Sequence, residues 1–355
     1  MESTRPNAYD EMPYPSLSYA QAHPDTIATV ATLVGLDPPP LTHCRCLELG
    51  SAVGGNLIPM AYELPDSEFV GIDYSARQIQ EGQAAIADLG LDNITLRHLD
   101  ILDVGPELGK FDYIIAHGVY SWVPERVRDK ILSICRENLA PAGVAYVSYN
   151  AYPGWHMIEV VRDLMLYRTR GIEDPLERAK LARTTLEFFA QATHDENDAY
   201  SSFLEMYVGV VARRMEEVAG QDDTLVLHDE LEEINQPLYF HQFAAHAARH
   251  GLQYVAEADF SGMRGRSTTG GDVPREVAEG LAQMSGSLVE LEQYVDFLQN
   301  RTFRRTLLCH REVEVPPRLS TERVRKLFVA SRAKPVSQQP DIYGGSVVKF
   351  EAADG

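Results

Sequence analysis

Three carboxylates in this chain stand where a bound nucleoside would need them. Glu48 precedes a turn of small residues, Gly50-Ser-Ala-Val-Gly-Gly-Asn56, that opens a helical pattern. Asp73 ends the next apolar run, Glu68–Asp73, and Asp100 follows the one after, Ile94–Leu99. A glycine turn at the head of a helix lets backbone approach a ligand closely, and a carboxylate ending the neighbouring parallel strand accepts from both ribose hydroxyls. Asp100 can accept from an adenine amino group while Ile101 packs on the ring. The candidate cofactor-binding residues are therefore Glu48, Gly50, Ser51, Gly54, Asn56, Asp73, Tyr74, Asp100 and Ile101, with His117 after the following strand.

The same residues discriminate between cofactors. A nicotinamide-type turn wants glycine at its first, third and sixth places, and here those places hold Gly50, Ala52 and Gly55. Alanine obstructs the point where backbone must approach a pyrophosphate, and Glu48 puts negative charge beside it. S-adenosylmethionine has no phosphate and carries an ammonium and a sulfonium, so acidic neighbours favour it. The expected cofactor is S-adenosyl-L-methionine, leaving S-adenosyl-L-homocysteine as product, with no metal. A nicotinamide-dependent oxidoreductase is the disfavoured enzyme alternative. A non-catalytic module that binds the methyl donor and contacts a partner is the other.

The elements that position these residues follow from alternation. Strand-like runs at Cys44–Leu49, Glu68–Asp73, Ile94–Leu99, Phe111–Ala116 and Val144–Tyr149 alternate with helical patterns, among them Ala76–Leu89 closed by Gly90. That predicts an α/β fold with a Rossmann-like parallel sheet and the three carboxylates along one edge. Ahead of it, residues 1–23 are rich in Tyr and Pro and read as an extended arm, a strap or a lid. A helix Thr26–Val34 follows, with Asp25 as its cap. The core is assigned to 24–150. Residues 151–238 become helical and read as an inserted regulatory cap. Residues 239–311 bring two more strand-like runs, Leu252–Glu257 and Phe303–Cys309, expected to finish the same sheet as an antiparallel hairpin around a second helical insertion, 261–300. Residues 312–355 read as a tail, with a short helix near Thr321–Val329, or as the opening of a truncated module.

Composition narrows the partners. Lys and Arg number 32 against 52 Asp and Glu, a net charge of −20 in 355 residues. Such a surface repels phosphate backbones and mildly favours a basic partner. The four cysteines lack zinc-type spacing and read as buried thiols in a reducing compartment. No apolar run reaches membrane-spanning length and no signal-peptide core is present, so the expected location is cytoplasmic, away from membranes.

Leu47-Glu-Leu-Gly50, Asp73 and Asp100 resemble the motifs of class I S-adenosylmethionine-dependent methyltransferases. More specifically, the chain resembles bacterial methyltransferases with a methyltransferase regulatory domain. The matching stretches are Tyr9–Ser16, Gly54–Met60, His117–Pro124, Val147–Trp155, Pro237–Phe243 and Phe297–Arg304. The resemblance implies the fold and the methyl donor; some such enzymes methylate protein lysines. Ala52 departs from the glycine of the general motif.

Methyl transfer is an in-line displacement on an already activated carbon, so the protein mainly aligns acceptor, methyl and sulfur. A base is needed only where the acceptor must lose a proton. His117, Tyr120, Asn150 and His156 follow strands four and five and are the catalytic candidates, although an isolated histidine is more often structural. The acceptor is expected to be a protein side chain of lysine type or a small metabolite. His228, Glu230 and His241 have no compact metal-ligand spacing.

Overall fold

The computed structural model describes residues 17–192, 198–217, 226–259, 275–316, 321–328, 334–337 and 348–351. The Tyr9–Ser16 motif, most of the expected arm, the end of the helical run near Leu225 and the start of the second insertion lie outside those residues.

The chain builds α1 (Pro24–Leu33), β1 (Arg45–Leu49), α2 (Leu57–Glu63), β2 (Glu68–Asp73), α3 (Ala76–Leu89), β3 (Ile94–His98), β4 (Phe111–Ala116), α4 (Glu125–Asn138) and β5 (Leu139–Asn150). The helices α5 (Trp155–Arg168), α6 (Pro175–Ala192) and α7 (Ala199–Glu217) follow. The chain then returns through α8 (Phe240–Arg249), β6 (Leu252–Glu257), α9 (Arg275–Met284), α10 (Leu288–Gln299) and β7 (Phe303–His310). One seven-stranded sheet runs β3-β2-β1-β4-β5-β7-β6. The first five strands pair in parallel, and β7 is antiparallel to both β5 and β6. This is the Rossmann-like methyltransferase fold with helical insertions. Strand order reverses between β1 and β4, so their carboxyl ends open the crevice where such sheets take ligands.

Three boundaries differ from the sequence expectation for identifiable reasons. Helix α1 starts earlier, because Pro24 fits its first turn and His23 Nδ1, rather than Asp25, accepts the capping bond from the Asp25 amide at 3.1 Å. Strand β5 begins at Leu139, opposite Phe111, and its register slips before Val144 pairs with Tyr113. The slip spans Pro141-Ala-Gly143, residues that read as a turn but are absorbed as a bulge. The second helical insertion, expected within 261–300, forms two helices among its described residues, broken before Ser287, whose hydroxyl caps α10 by accepting from the Glu290 amide. Thr321–Lys326 is a 3-10 turn. Gly90, in contrast, closes α3 as expected, in the left-handed region at φ 66°.

Each sheet face has its own core. Ile27, Val30, Met60, Ile79 and Ile86 from α1, α2 and α3 cover Phe69, Tyr113 and Tyr146. On the opposite face Ile131, Leu132 and Cys135 of α4 and Phe243 and Ala247 of α8 cover Leu47, Ile114 and Val147. Helices α5 to α7 enclose a third core built on Val161, Met165, Leu186, Leu204 and Tyr207. This insertion leaves at Ala151 and returns beside its own departure point, where the Leu238 amide donates to the Asn150 carbonyl and the Tyr152 amide to the Leu238 carbonyl, both at 3.0 Å. Among the described residues no helix is long and apolar enough to cross a membrane, and all four cysteines are buried and free.

Arg304, in β7, is completely buried. Its Nε and Nη2 donate to the two carboxylate oxygens of Asp296 in α10, each at 2.8 Å, and Nη1 donates to Glu257 of β6 at 2.6 Å. Glu292 accepts at 3.2 Å, and the guanidinium lies 3.8 Å from the Phe240 ring centroid. Removing one member of such a group leaves the others buried and uncompensated. Arg304→Met is expected to cost about 3–5 kcal/mol in urea unfolding; a loss under about 1 kcal/mol would show that the network adds little.

Candidate functional site

The turn after β1 is pinned to the neighbouring strand. The Gly50 and Ser51 amides both donate to the Ile72 carbonyl at 2.9 Å. Asp73, ending β2, accepts from the Ala52 amide through Oδ2 at 2.9 Å and from the Ser75 amide through Oδ1 at 2.8 Å. The simpler role of Asp73 as a helix cap belongs instead to Ser75, whose hydroxyl accepts from the Gln78 amide. Ala52 sits at φ 49°, a conformation that favours glycine, and the Asp73 bond helps hold it there. At Gly50, φ is 79° and any Cβ would lie 2.5 Å from the Val119 side chain, so the loop after β4 closes on the turn only over a glycine.

Glu48 points into this crevice and is 3% exposed. Its Oε1 accepts from Asn56 Nδ2 at 2.7 Å, while Oε2 and the nearby buried Ser51 hydroxyl have no hydrogen-bond partner. Burial, against the Asn56 bond and aided by the Asp73 charge, raises the Glu48 carboxyl to about 7. A buried carboxylate oxygen without a donor, at the head of a turn whose Gly50, Ser51, Ala52 and Gly54 amides already have acceptors, fits a ligand that brings a cation. That is the chemistry of an amino-acid ammonium, and these residues fit S-adenosylmethionine on that ground.

Around this centre the structure distributes the remaining sequence candidates. Tyr74 is exposed beside the end of β2. Asp100 and Ile101 are half-buried where β3 ends, and Asp100 Oδ1 accepts from the Leu102 amide at 2.9 Å. His117 is sandwiched between Tyr19, 3.7 Å between ring centroids, and Tyr146, whose hydroxyl lies 2.8 Å from its Nδ1. Burial first, then Arg305, lowers the His117 ring to about 3. It stays neutral, a wall and a hydrogen-bonding group and a poor base. Gly54, φ 80°, and Asn56 complete the turn. Asn56 Oδ1 accepts from the Tyr19 amide at 3.0 Å. The end of the arm is thereby tied to both rims of the crevice, a role for Tyr19 that the sequence did not single out.

Tyr120 is not at the crevice, contrary to the sequence expectation. It is fully buried against Tyr149 and Phe243 in the α4–α8 core, with its hydroxyl 2.6 Å from His246 Nδ1. The backbone of the loop places Val119 toward the turn and sends its neighbour inward. Asn150 is also buried; its side-chain amide donates to Asn235 at 2.9 Å, bracing the root of the insertion. His156 is different. Its ring is exposed, stacks on Tyr152 with centroids 4.0 Å apart and reaches the Tyr239 hydroxyl at 3.0 Å. Glu159 accepts from the Tyr152 hydroxyl and lies 3.6 Å from His156 Nδ1. Burial and Glu159 raise the Tyr152 phenol above its ordinary value. Neither Tyr239 nor Glu159 was a sequence candidate. The available signals were the i, i+3 spacing of His156 and Glu159 and the presence of Tyr239 within Pro237–Phe243.

His228, Glu230 and His241 take separate partners: Glu230 accepts from Tyr207 and His241 Nδ1 meets Gln293. Among the described residues one group of possible metal ligands converges, Asp129, His246 and His250.

Comparison with known proteins agrees with this geometry. Residues 47–145 match the family described as a methyltransferase domain, and residues 222–310 match a predicted methyltransferase regulatory domain. The uncharacterised protein RP789 of Rickettsia prowazekii is 41% identical over 91% of this chain and 56% of its own length. RP028 of the same organism is 36% identical over 70% of this chain and 97% of its own. PKMT2 from Rickettsia typhi, solved in complex with AdoHcy, superposes with a TM-score of 0.81 at 32% identity, covering 96% of this chain and 64% of that one. The fold and the crevice define a class I S-adenosylmethionine-dependent methyltransferase architecture. The chain belongs to the class I S-adenosylmethionine-dependent methyltransferases that carry a methyltransferase regulatory domain, related to PKMT2, and it spans little more than half the length of RP789.

Glu48 makes stability depend on pH in a stated direction. Its folded value lies above the ordinary 4.5, so the folded protein binds this proton more tightly, and the associated stability is lost as pH rises from 4.5 through about 7. Glu48→Gln, a mimic of the protonated form, should remove that component, worth at most about 3 kcal/mol. Parallel urea-unfolding profiles of the two proteins across this window would count against a titrating Glu48.

Proposed function

We propose that this chain transfers the methyl group of S-adenosylmethionine to the side-chain amine of a protein lysine. The observation that carries the reading is the group of Tyr152, His156 and Tyr239 rings with the Glu159 carboxylate, immediately beyond the end of β5. Aromatic faces with a carboxylate beside them are the chemistry that recognises an alkylammonium. The group follows Asn150, whose strand partner Phe303 sets its ring edge-on to His117, 6.2 Å between centroids. Acceptor and donor would therefore meet along one sheet edge. The net charge of −20 suits a basic protein substrate. A relative of this fold bears the name PKMT, for protein lysine methyltransferase, and was solved with AdoHcy.

In this reading Glu48 and Asn56 hold the amino-acid end of the donor, with Gly50, Ser51 and Gly54 letting backbone approach it. Asp73, already oriented by two amides, accepts from the ribose beside Tyr74. Asp100 and Ile101 take the adenine, and His117 walls the crevice. When bound, the donor supplies a methyl activated by a sulfonium leaving group. The protein's task is then alignment and deprotonation: a lysine ammonium has no lone pair until it gives up a proton. We assign that proton to His156, the exposed ring, with Glu159 stabilising the resulting imidazolium. The insertion governs which protein is accepted, because Tyr239 and Glu159 stand on its two ends.

The test is transfer of labelled methyl from the donor into whole-cell protein, followed by acid hydrolysis and amino-acid analysis. Label on methylated lysine is expected, with His156→Ala lowering turnover by about 100-fold or more. Label confined to small molecules, or lost on mild base as carboxyl esters, would overturn the lysine assignment. Calorimetry separately reads the donor site. Because an ammonium favours ionised Glu48, affinity for S-adenosylhomocysteine should rise between about pH 6 and pH 7.5, by up to about tenfold per unit below the Glu48 value, and lose that dependence in Glu48→Gln.

A further inference from the structure

His246 lies in the last turn of α8 and His250 is the residue that caps its carboxyl end, and both aim Nε2 at the same oxygen of Asp129 on α4. The distances to Asp129 Oδ1 are 3.2 Å and 2.9 Å. All three ligand atoms lie within 4.8 Å of one another. A tetrahedral zinc ion with bonds of about 2.0–2.1 Å separates its ligand atoms by about 3.3 Å. Two of the three separations are therefore already close to that value. His246 also has the outer partner that metal-binding imidazoles usually carry: its Nδ1 is 2.6 Å from the hydroxyl of Tyr120, a ring wholly buried in the core. The site opens outward, with the two imidazoles largely covered and Asp129 60% exposed.

We infer that Asp129, His246 and His250 form a binding site for a divalent transition ion of zinc type, with water completing the coordination. Asp129 stands in the segment matching the methyltransferase domain and the two histidines in the segment matching the regulatory domain. A bound ion would clamp one to the other through α4 and α8.

The proton balance works without strain. In the metal-free protein each Nε2–H donates to Asp129. To ligate, His246 moves its proton to Nδ1, and the Tyr120 hydroxyl turns from donor to acceptor. His250 moves its Nε2 proton to Nδ1 in the same way, and Asp129 needs no change as a carboxylate. Nearby positive charges oppose the ion: Arg128, which precedes Asp129, and Arg249 both act on the Tyr120 hydroxyl. Arg249 adds positive potential at His246.

The test uses untagged, chelator-stripped protein, with zinc titrated against a chromophoric chelator and thermal unfolding followed in parallel. One equivalent should bind and raise the unfolding midpoint, while magnesium does neither. His250→Ala and Asp129→Asn should each weaken binding by at least about 100-fold, and Tyr120→Phe by about 10- to 100-fold. Arg249→Gln should tighten it. The four cysteines are buried and so do not compete in the folded protein. Absence of zinc binding, or binding that survives both ligand substitutions unchanged, would overturn the proposal and leave a plain hydrogen-bonded His–Asp–His cluster.

Discussion

A guanidinium cannot stay buried without compensation, and the arrangement of the second half of this molecule follows from how Arg304 obtains it. Its partners come from three elements: Asp296 and Glu292 from α10 and Glu257 from β6, with the Phe240 ring of α8 stacked on its face. Glu257 also accepts from the Arg305 amide and the Thr306 hydroxyl. No subset of these groups can be withdrawn from water cheaply, so β6, β7, α8 and α10 must assemble together. Their assembly fixes β7 against β5, which brings Phe303 opposite Asn150 and beside His117. The shape of the crevice beside His117 thus rests on an ion group in a different part of the chain.

On the donor side the controlling interaction is smaller. Ala52 in the left-handed region costs about 1–2 kcal/mol, and a hydrogen bond from its amide to an ionised carboxylate returns about 1.5–3 kcal/mol. Asp73 therefore does two things at once. It allows alanine at a position where related turns use glycine, and its carboxylate is held in one orientation before any ligand arrives. A carboxylate with two backbone amides already attached has lost its freedom to turn, which is preorganisation at no further entropic cost.

Legibility of the sequence varied with the kind of information required. Strands β2, β4 and β6 have the limits their apolar runs suggest, because polar or glycine-containing stretches bound them on both sides. The proposed cofactor crevice draws on residues visible in the sequence, since Glu48, Asp73 and Asp100 lie at the ends of successive strands and topology alone brings those ends together. Side-chain direction was not readable. Val119 and Tyr120 are adjacent, yet Val119 closes on Gly50 of the turn while Tyr120 is buried against Tyr149 and Phe243. Pairings distant in sequence were also hidden: His246 and His250 have a visible helical spacing, but nothing local indicates that Asp129 meets them. The same holds for Tyr239, whose relation to His156 depends on where the insertion returns.

That return explains how the proposed acceptor group and the donor crevice can share an edge and still be specified separately. The donor crevice is made by loops after β1, β2 and β3, which belong to the parallel sheet. The aromatic group beyond β5 is made by the two ends of the insertion, joined by Leu238 pairing with Asn150 and Tyr152. Helices α5 to α7 have a core of their own, so their outer surface can change without disturbing the rings at their base. The rings are held at their base by the pairing of residues 150–152 with 238, by the Gln236 amide donating to the Ser121 carbonyl, and by Phe297 against Tyr239. A change of partner then requires no change in the residues that would hold the methyl donor, because the insertion meets the sheet through its own ends, at β5 and at Ser121 of the loop after β4.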